Sequence, residues 1–109
     1  MSIVINIYYK GQNGNAKKFA EEMITSGLVN KIRNEKGNLR YSYFFPMEDE
    51  QTVLLIDEWE NQEALDRHHQ TDMMNSIAKL RDKYDLHMKV EEFIKNDDNP
   101  LKNERYIRK

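Results

Sequence analysis

The chain runs to 109 residues and 13.1 kDa, which suits one domain of ordinary size and leaves no room for a second. Leu, Ile, Val and Phe supply about 23% of it, above the level of disordered chains, and 17 basic against 19 acidic side chains lack the basic excess of a nucleic-acid binder. The absence of cysteine excludes disulfides, thiolate metal sites, iron–sulfur clusters and cysteine nucleophiles together.

Met1-Ser2-Ile3-Val4 has no charged n-region leading into a long apolar run, and no segment approaches the ~18 apolar residues of a membrane span. The expectation is a small soluble protein, most simply cytoplasmic, with neither nucleic acid nor membrane as a partner. Ile3-Val4-Ile5-Asn6-Ile7-Tyr8-Tyr9 is rich in β-branched and aromatic residues and reads as a first strand. Gly11-Gln12-Asn13-Gly14-Asn15 ends it and offers Asn13 or Asn15 as a helix N-cap. Ala16, Phe19, Ala20, Met23 and Ile24 then keep the spacing of an amphipathic helix. Ser26-Gly27 interrupts that helix, and Leu28, Val29 and Ile32 continue its apolar face until Gly37-Asn38.

Residues 39–45 form a second strand with Tyr41, Tyr43, Phe44 and Phe45 on both parities, and Pro46 closes it. The acidic turn Glu48-Asp49-Glu50-Gln51 leads to a third strand, residues 52–59. Asn61 caps a short helix with Ala64, Leu65 and His68, and Gln70-Thr71-Asp72 re-caps the chain into a helix carrying Met73, Met74, Ile77, Leu80 and Tyr84. Residues 86–94 alternate Leu86, Met88 and Val90 with His87, Lys89 and Glu91, a fourth strand with one wet face. Residues 1–94 make the domain, and residues 95–109 a polar tail with Tyr106-Ile107 as its main hydrophobic anchor, placed to latch onto a partner subunit.

The order β-α-β-β-α-β is the split βαβ of a ferredoxin-like α+β sandwich. Val53-Leu54-Leu55-Ile56 and Ile3-Val4-Ile5 are apolar at both parities, as in strands buried on both faces. Two helical segments cover only one side of a four-stranded sheet. A second copy packed sheet to sheet, as a two-fold homodimer, is the simplest cover for the other.

No short motif is diagnostic by itself. His68 and His69 diverge by about 100° on their helix and cannot grip one metal together, and His87 sits on a polar parity, so the histidines read as surface groups and no metal is expected. Asn6, a carboxamide within an apolar strand, is either satisfied by its neighbours or aimed into a cavity between sheet and helices. Trp59, the only tryptophan, fills core or walls a pocket with its N–H inward, and Met73 and Met74 read chiefly as core. Asp57, Glu58 and Glu60 read as a solvated strand end, and Lys102-Asn103-Glu104-Arg105 with Arg108-Lys109 as solvated tail charge.

Gly37-Asn38-Leu39-Arg40-Tyr41, Leu54-Leu55-Ile56-Asp57-Glu58-Trp59 and Glu63-Ala64-Leu65-Asp66-Arg67-His68 follow at a characteristic spacing. Over residues 3–94 the chain resembles the antibiotic biosynthesis monooxygenase family of the dimeric α/β-barrel superfamily, and within it the quinol monooxygenase branch. The resemblance implies a homodimer, one pocket per subunit between sheet and helices, and oxygen chemistry with no cofactor, neither flavin nor metal, on a small aromatic hydroquinone or quinone-like substrate. It further implies Asn6 and Trp59 as donors to the substrate oxygen and His68 as base. Tyr8, Tyr43, Phe44, Met73 and Ile77 are candidate pocket walls, although the aromatic residues at both parities of the second strand leave its inward face open. The haem-degrading branch shares an asparagine where Asn6 stands. Its catalytic tryptophan falls at His68 and its axial histidine near Ala78, and neither is present here. Two further readings stay open, an isomerase of a small oxygenated metabolite or signal molecule and a non-catalytic small-molecule-binding dimer.

Overall fold

The computed structural model describes residues 1–96 and 104–108. Four strands, β1 (Ile3–Lys10), β2 (Asn38–Phe44), β3 (Thr52–Trp59) and β4 (His87–Ile94), form one antiparallel sheet in the order β2-β3-β1-β4. Between β1 and β2 lie α1 (Asn15–Thr25) and α2 (Leu28–Arg33), and between β3 and β4 lie α3 (Gln62–His69) and α4 (Met73–Lys83). The fold is the expected α+β ferredoxin-like β-α-β-β-α-β sandwich, with each helical segment broken once.

Local chemistry accounts for the breaks and caps. Gly27 takes φ 87° between α1 and α2, a left-handed conformation that glycine adopts without a Cβ penalty, so the interruption falls where expected. Asn61 accepts a 2.9 Å hydrogen bond from the Ala64 amide and starts α3. The first cap differs from expectation. Gly14, at φ 74°, occupies the N-cap of α1, and Asn15 is the first helical residue, its amide donating to Tyr84 O at 3.2 Å. That bond ties the start of α1 to the end of α4.

The helices cover one sheet face. Ile3, Ile5 and Tyr9 of β1, Tyr41 of β2, and Leu55 and Trp59 of β3 join Phe19, Met23, Val29, Ile32, Leu65 and Ile77 in one core. On the opposite face Asn6 pairs with Ile56 and Glu91, Tyr8 with Leu54 and Lys89, and Val4 with Glu58 and Phe93, where no helix packs. The apolar runs at both parities therefore have one face in the core and one that stays half-buried or exposed in the single chain.

The carboxylates at the end of β3 correct another expectation. Asp57 and Glu58 are buried, on opposite sheet faces, rather than forming a solvated end. Glu58 accepts from Ser2 Oγ at 2.6 Å, with Lys95 Nζ at 3.8 Å. Tyr106 and Ile107 are exposed in the single chain, and residues 97–103 and 109 of the tail lie outside the described residues. Among the described residues no helix is long and apolar enough to cross a membrane.

Candidate active site

Helices α3 and α4 stand off the sheet at the β1–β4 side and leave a cavity of about 420 Å³. Its floor is Ile5 and Ile7 of β1 with Asp57 of β3, and its roof is Gln62, Leu65 and His69 of α3 with Met74 and Arg81 of α4. Met88, Val90 and Glu92 of β4 form the outer wall. The roof follows from helical spacing, because Met74, Ile77 and Arg81 recur at i, i+3 and i+7 and share one face of α4. α3 sits close because Gly37, at φ 88°, lacks a Cβ; one placed there would lie 2.5 Å from Ala64 Cβ.

The helix-facing side of the sheet is apolar except for a buried polar cluster. Asp57 Oδ1, Trp59 Nε1, Tyr43 OH and Arg81 Nε are all buried without a hydrogen-bond partner. Such groups are costly to bury unmatched, at about 1–3 kcal/mol each; of the four, Asp57 and Arg81 line the cavity. Arg81 Nη2 donates to Tyr9 OH at 3.2 Å, and the guanidinium carbon lies 5.6 Å from the centre of the Tyr9 ring. The Tyr41 and Tyr43 rings meet edge to face at 5.9 Å.

Burial sets the titration of this cluster. It pushes the Asp57 carboxyl up to about 7; the neighbouring Trp59 indole N–H opposes the rise and the negative charge of Glu35 adds to it. The indole favours the charged carboxyl from its position, although its geometry falls short of a formed hydrogen bond. Burial also raises the hydroxyl pKa values of Tyr9, Tyr41 and Tyr43, so all three phenols stay protonated and act as donors at neutral pH.

Behind Asp57, the ring of His68 stacks on Trp59 with centroids 4.7 Å apart and planes 27° apart. His68 Nδ1 lies 2.7 Å from Glu35 Oε2, and burial holds the imidazole below its ordinary pKa while Glu35 works in the opposite direction. His68 is absent from the cavity wall and His69 is present. The Glu35–His68 pair thus buttresses the Trp59 ring from the rear.

Of the residues singled out in the sequence, Trp59, His68, Tyr43, Met73 and Ile77 lie on the helix side of the sheet. Ile77 is fully buried in the core, and Met73 packs against the core while Met74 lines the cavity. Asn6, Tyr8 and Phe44 correct the expectation, because their pairing with Ile56 and Leu54 puts them on the opposite face, away from any space between sheet and helices. The histidines also depart from a surface reading at one position, since His68 is buried. Asp57, Arg81, Tyr9 and Tyr41 were not foreseen. Two signals in the sequence point to them: Asp57 shares the parity of Leu55 and Trp59, and Arg81 shares the helical face of Met74 and Ile77. Among the described residues no group of three or more His, Asp or Glu is arranged to hold a metal ion.

A four-stranded antiparallel sheet with its helices on one face defines a small α+β ferredoxin-like domain, with a cavity between sheet and helices. The chain belongs to the antibiotic biosynthesis monooxygenase family, whose model matches residues 2–80. It is similar to YcnE of Bacillus subtilis (strain 168), which carries a monooxygenase designation, with 29% identity over 69 residues, 63% of this chain and 70% of that one. A solved structure from Deinococcus radiodurans, designated to the same family, superposes with a TM-score of 0.77 at 12% identity over 91% of this chain and 97% of the other. SnoaB of Streptomyces nogalater, a cofactor-independent oxygenase, superposes with a TM-score of 0.73 at 10% identity, covering 92% of this chain and 98% of that one. At these identities the two structural likenesses show a common fold.

Proposed function

We propose that the protein is a cofactor-independent monooxygenase or quinol oxidase that works in the cytoplasm on a small aromatic hydroquinone with O₂. The observation that carries the reading is the cavity itself, of a size for one or two rings, with apolar walls of Ile5, Ile7, Leu65, Met74, Met88 and Val90, a polar mouth of Gln62, His69 and Glu92, and the unpartnered buried atoms of Asp57 and Arg81. Family membership and the likeness to a cofactor-independent oxygenase support it.

The chemistry asks little more of the protein. A hydroquinone that loses a proton becomes an electron-rich anion able to pass an electron to O₂ directly. As an oxidase, the enzyme moves two electrons and two protons from the hydroquinone to O₂, giving quinone and hydrogen peroxide. As a monooxygenase, it places one oxygen atom in the product and releases the other as water. The apolar inner walls displace water from one side of the bound ring, and fixed N–H donors favour the developing oxyanion.

The homodimer belongs to the same reading. Val4, Tyr8, Leu54 and Ile56, with the half-exposed Phe93, form an apolar stripe on a sheet face that also carries Glu58, Lys89 and Glu91, and within it Asn6 Oδ1 is buried without a partner. A second copy, sheet to sheet, covers that face and supplies the missing donor.

Oxygen uptake on reduced quinones, above the autoxidation background and with metal-stripped protein, tests the activity. Enzyme-dependent uptake that drops in Trp59→Phe is the expected result. Product formation without oxygen consumption would move the protein to isomerisation of an oxygenated metabolite, for which the same buried acid and donors suffice. Saturable ligand binding without any product would make it a binding dimer.

A further inference from the structure

We propose that Asp57 is the proton acceptor of the cavity: its carboxylate takes the phenolic proton of the bound substrate, and the Arg81 guanidinium holds the oxyanion left behind. The inference rests on the hydroquinone reading above and adds to it the groups that carry the proton and the charge. It stands first on placement. Asp57 lies on the cavity floor and is only 4% exposed, and its Oδ1 has no hydrogen-bond partner. Arg81 lies on the roof of the same cavity, one guanidinium nitrogen on Tyr9 OH and its buried Nε free of any partner. An acceptor below and a fixed cation above bracket the space where a phenol fits.

The other titratable groups around the cavity suit this role less well. His68 is occupied by Glu35 and shielded by Trp59. His69 ends α3 and Glu92 lies on the edge strand; both are exposed, at the mouth of the cavity rather than on its buried floor. Tyr9 of β1 and Tyr41 and Tyr43 of β2 carry protons already, with hydroxyl pKa values raised by burial. Glu35, before β2, adds negative charge that raises the basicity of Asp57.

The step is a proton transfer and nothing more. The phenolic O–H bond breaks, its electron pair stays on the substrate oxygen, and a new O–H bond forms on Asp57. An ordinary aspartate, near 3.9, would face a phenol near 10 across about six pKa units, a millionfold disadvantage. Burial brings Asp57 to about 7 and leaves about three. Arg81, fixed on the roof of the cavity, narrows the rest by favouring the phenolate.

Two measurements on the full chain test the assignment. The first is oxygen uptake with methylhydroquinone from pH 5 to 9 in the native protein, Asp57→Asn and Asp57→Glu. The native rate should rise with pH through about 7 and level off. Asp57→Asn should lose about 10²-fold or more together with that acidic limb, and Asp57→Glu should keep a limb at a moved midpoint. The second is anaerobic binding of 4-nitrophenol, followed by absorbance, which needs no turnover. Above pH 8 the native protein should bind it about tenfold more weakly per pH unit, because the complex takes up a proton at Asp57, while binding to Asp57→Asn stays flat. Unchanged turnover with the acidic limb intact in Asp57→Asn would overturn the assignment and leave the oxygenase reading standing. A native protein that consumes no oxygen yet binds nitrophenol with this proton linkage would keep Asp57 as acceptor and remove the oxygenase reading. Nitrophenol binding that is absent or independent of pH in the native protein would overturn the assignment.

Discussion

Replacing Asp57 by Asn should stabilise the fold, and only at neutral and alkaline pH. Burial lifts the carboxyl from 3.8 to about 7 in the folded chain, whereas the unfolded chain keeps the ordinary value. Between those values the folded state holds a proton that the unfolded state has lost, so native stability falls as pH rises from about 4 to about 7 and the loss is complete above that. Three units at 1.36 kcal/mol each set a ceiling of about 4 kcal/mol. Because Asp57 is almost wholly shielded, solvent screening takes little away from that figure. An unfolding entropy of about 2.1 cal/mol/K per residue converts each kcal/mol into about 4 °C, hence a gain of up to about 15 °C in Tm. Calorimetry of both proteins between pH 4.5 and 8.5, at one fixed concentration, should show Tm values that coincide at the acid end and diverge by pH 8. A constant gap across that range would refute the buried, alkaline-shifted carboxyl and with it the chemistry built on Asp57. A gain in stability paired with a loss of turnover is the trade expected where a site is held in an unfavourable state for function.

Trp59→Ala removes the largest fully buried side chain and the surface on which His68 stacks, and should cost about 3–5 kcal/mol in urea unfolding. Gly37→Ala forces a Cβ to within 2.5 Å of Ala64 at φ 88°, so a loss of about 2 kcal/mol or more is expected by the same measurement. Glu35→Gln removes the group that works against burial at His68, and the imidazole midpoint, followed by NMR of the ring protons, should move further down. Ile56→Lys places a charge opposite Asn6 in the middle of the uncovered face, and sedimentation velocity should show the proposed dimer in the native protein and monomer in the variant; a dimer undisturbed by the charge would place the interface elsewhere.

The chain's periodicities carried the architecture. Runs of β-branched and aromatic residues located β1, β2 and β3, alternation located β4, Asn61 announced α3, and Ser26-Gly27 marked the break between α1 and α2. Sidedness was harder. β1 is apolar at both parities, so nothing in its pattern says that Ile5 and Ile7 face the helices and Asn6 faces away; only the packing of Tyr9 on Phe19, 4.8 Å between ring centres, decides it. β2 is ambiguous for the same reason, and pairing with β3 puts Tyr41 and Tyr43 inside and Phe44 outside. The candidate site was legible in Trp59, which lies beside the buried carboxyl, and in the likeness that named the family. Asp57 was hidden by its neighbour. Glu58 and Glu60 surround it with charge and suggest solvent, yet strand alternation sends Asp57 alone into the core.

The way β4 closes the cavity has an evolutionary consequence. Met88 and Val90 face the helices, yet they remain 41% and 54% exposed, because α3 and α4 do not reach across the last strand. These side chains shape the guest's surroundings while adding little to the core that holds the molecule together. Changes there are cheap for folding and direct for selectivity. Divergent members of such a lineage can therefore exchange substrates by rewriting one margin of the sheet, leaving Trp59 and its buttress untouched.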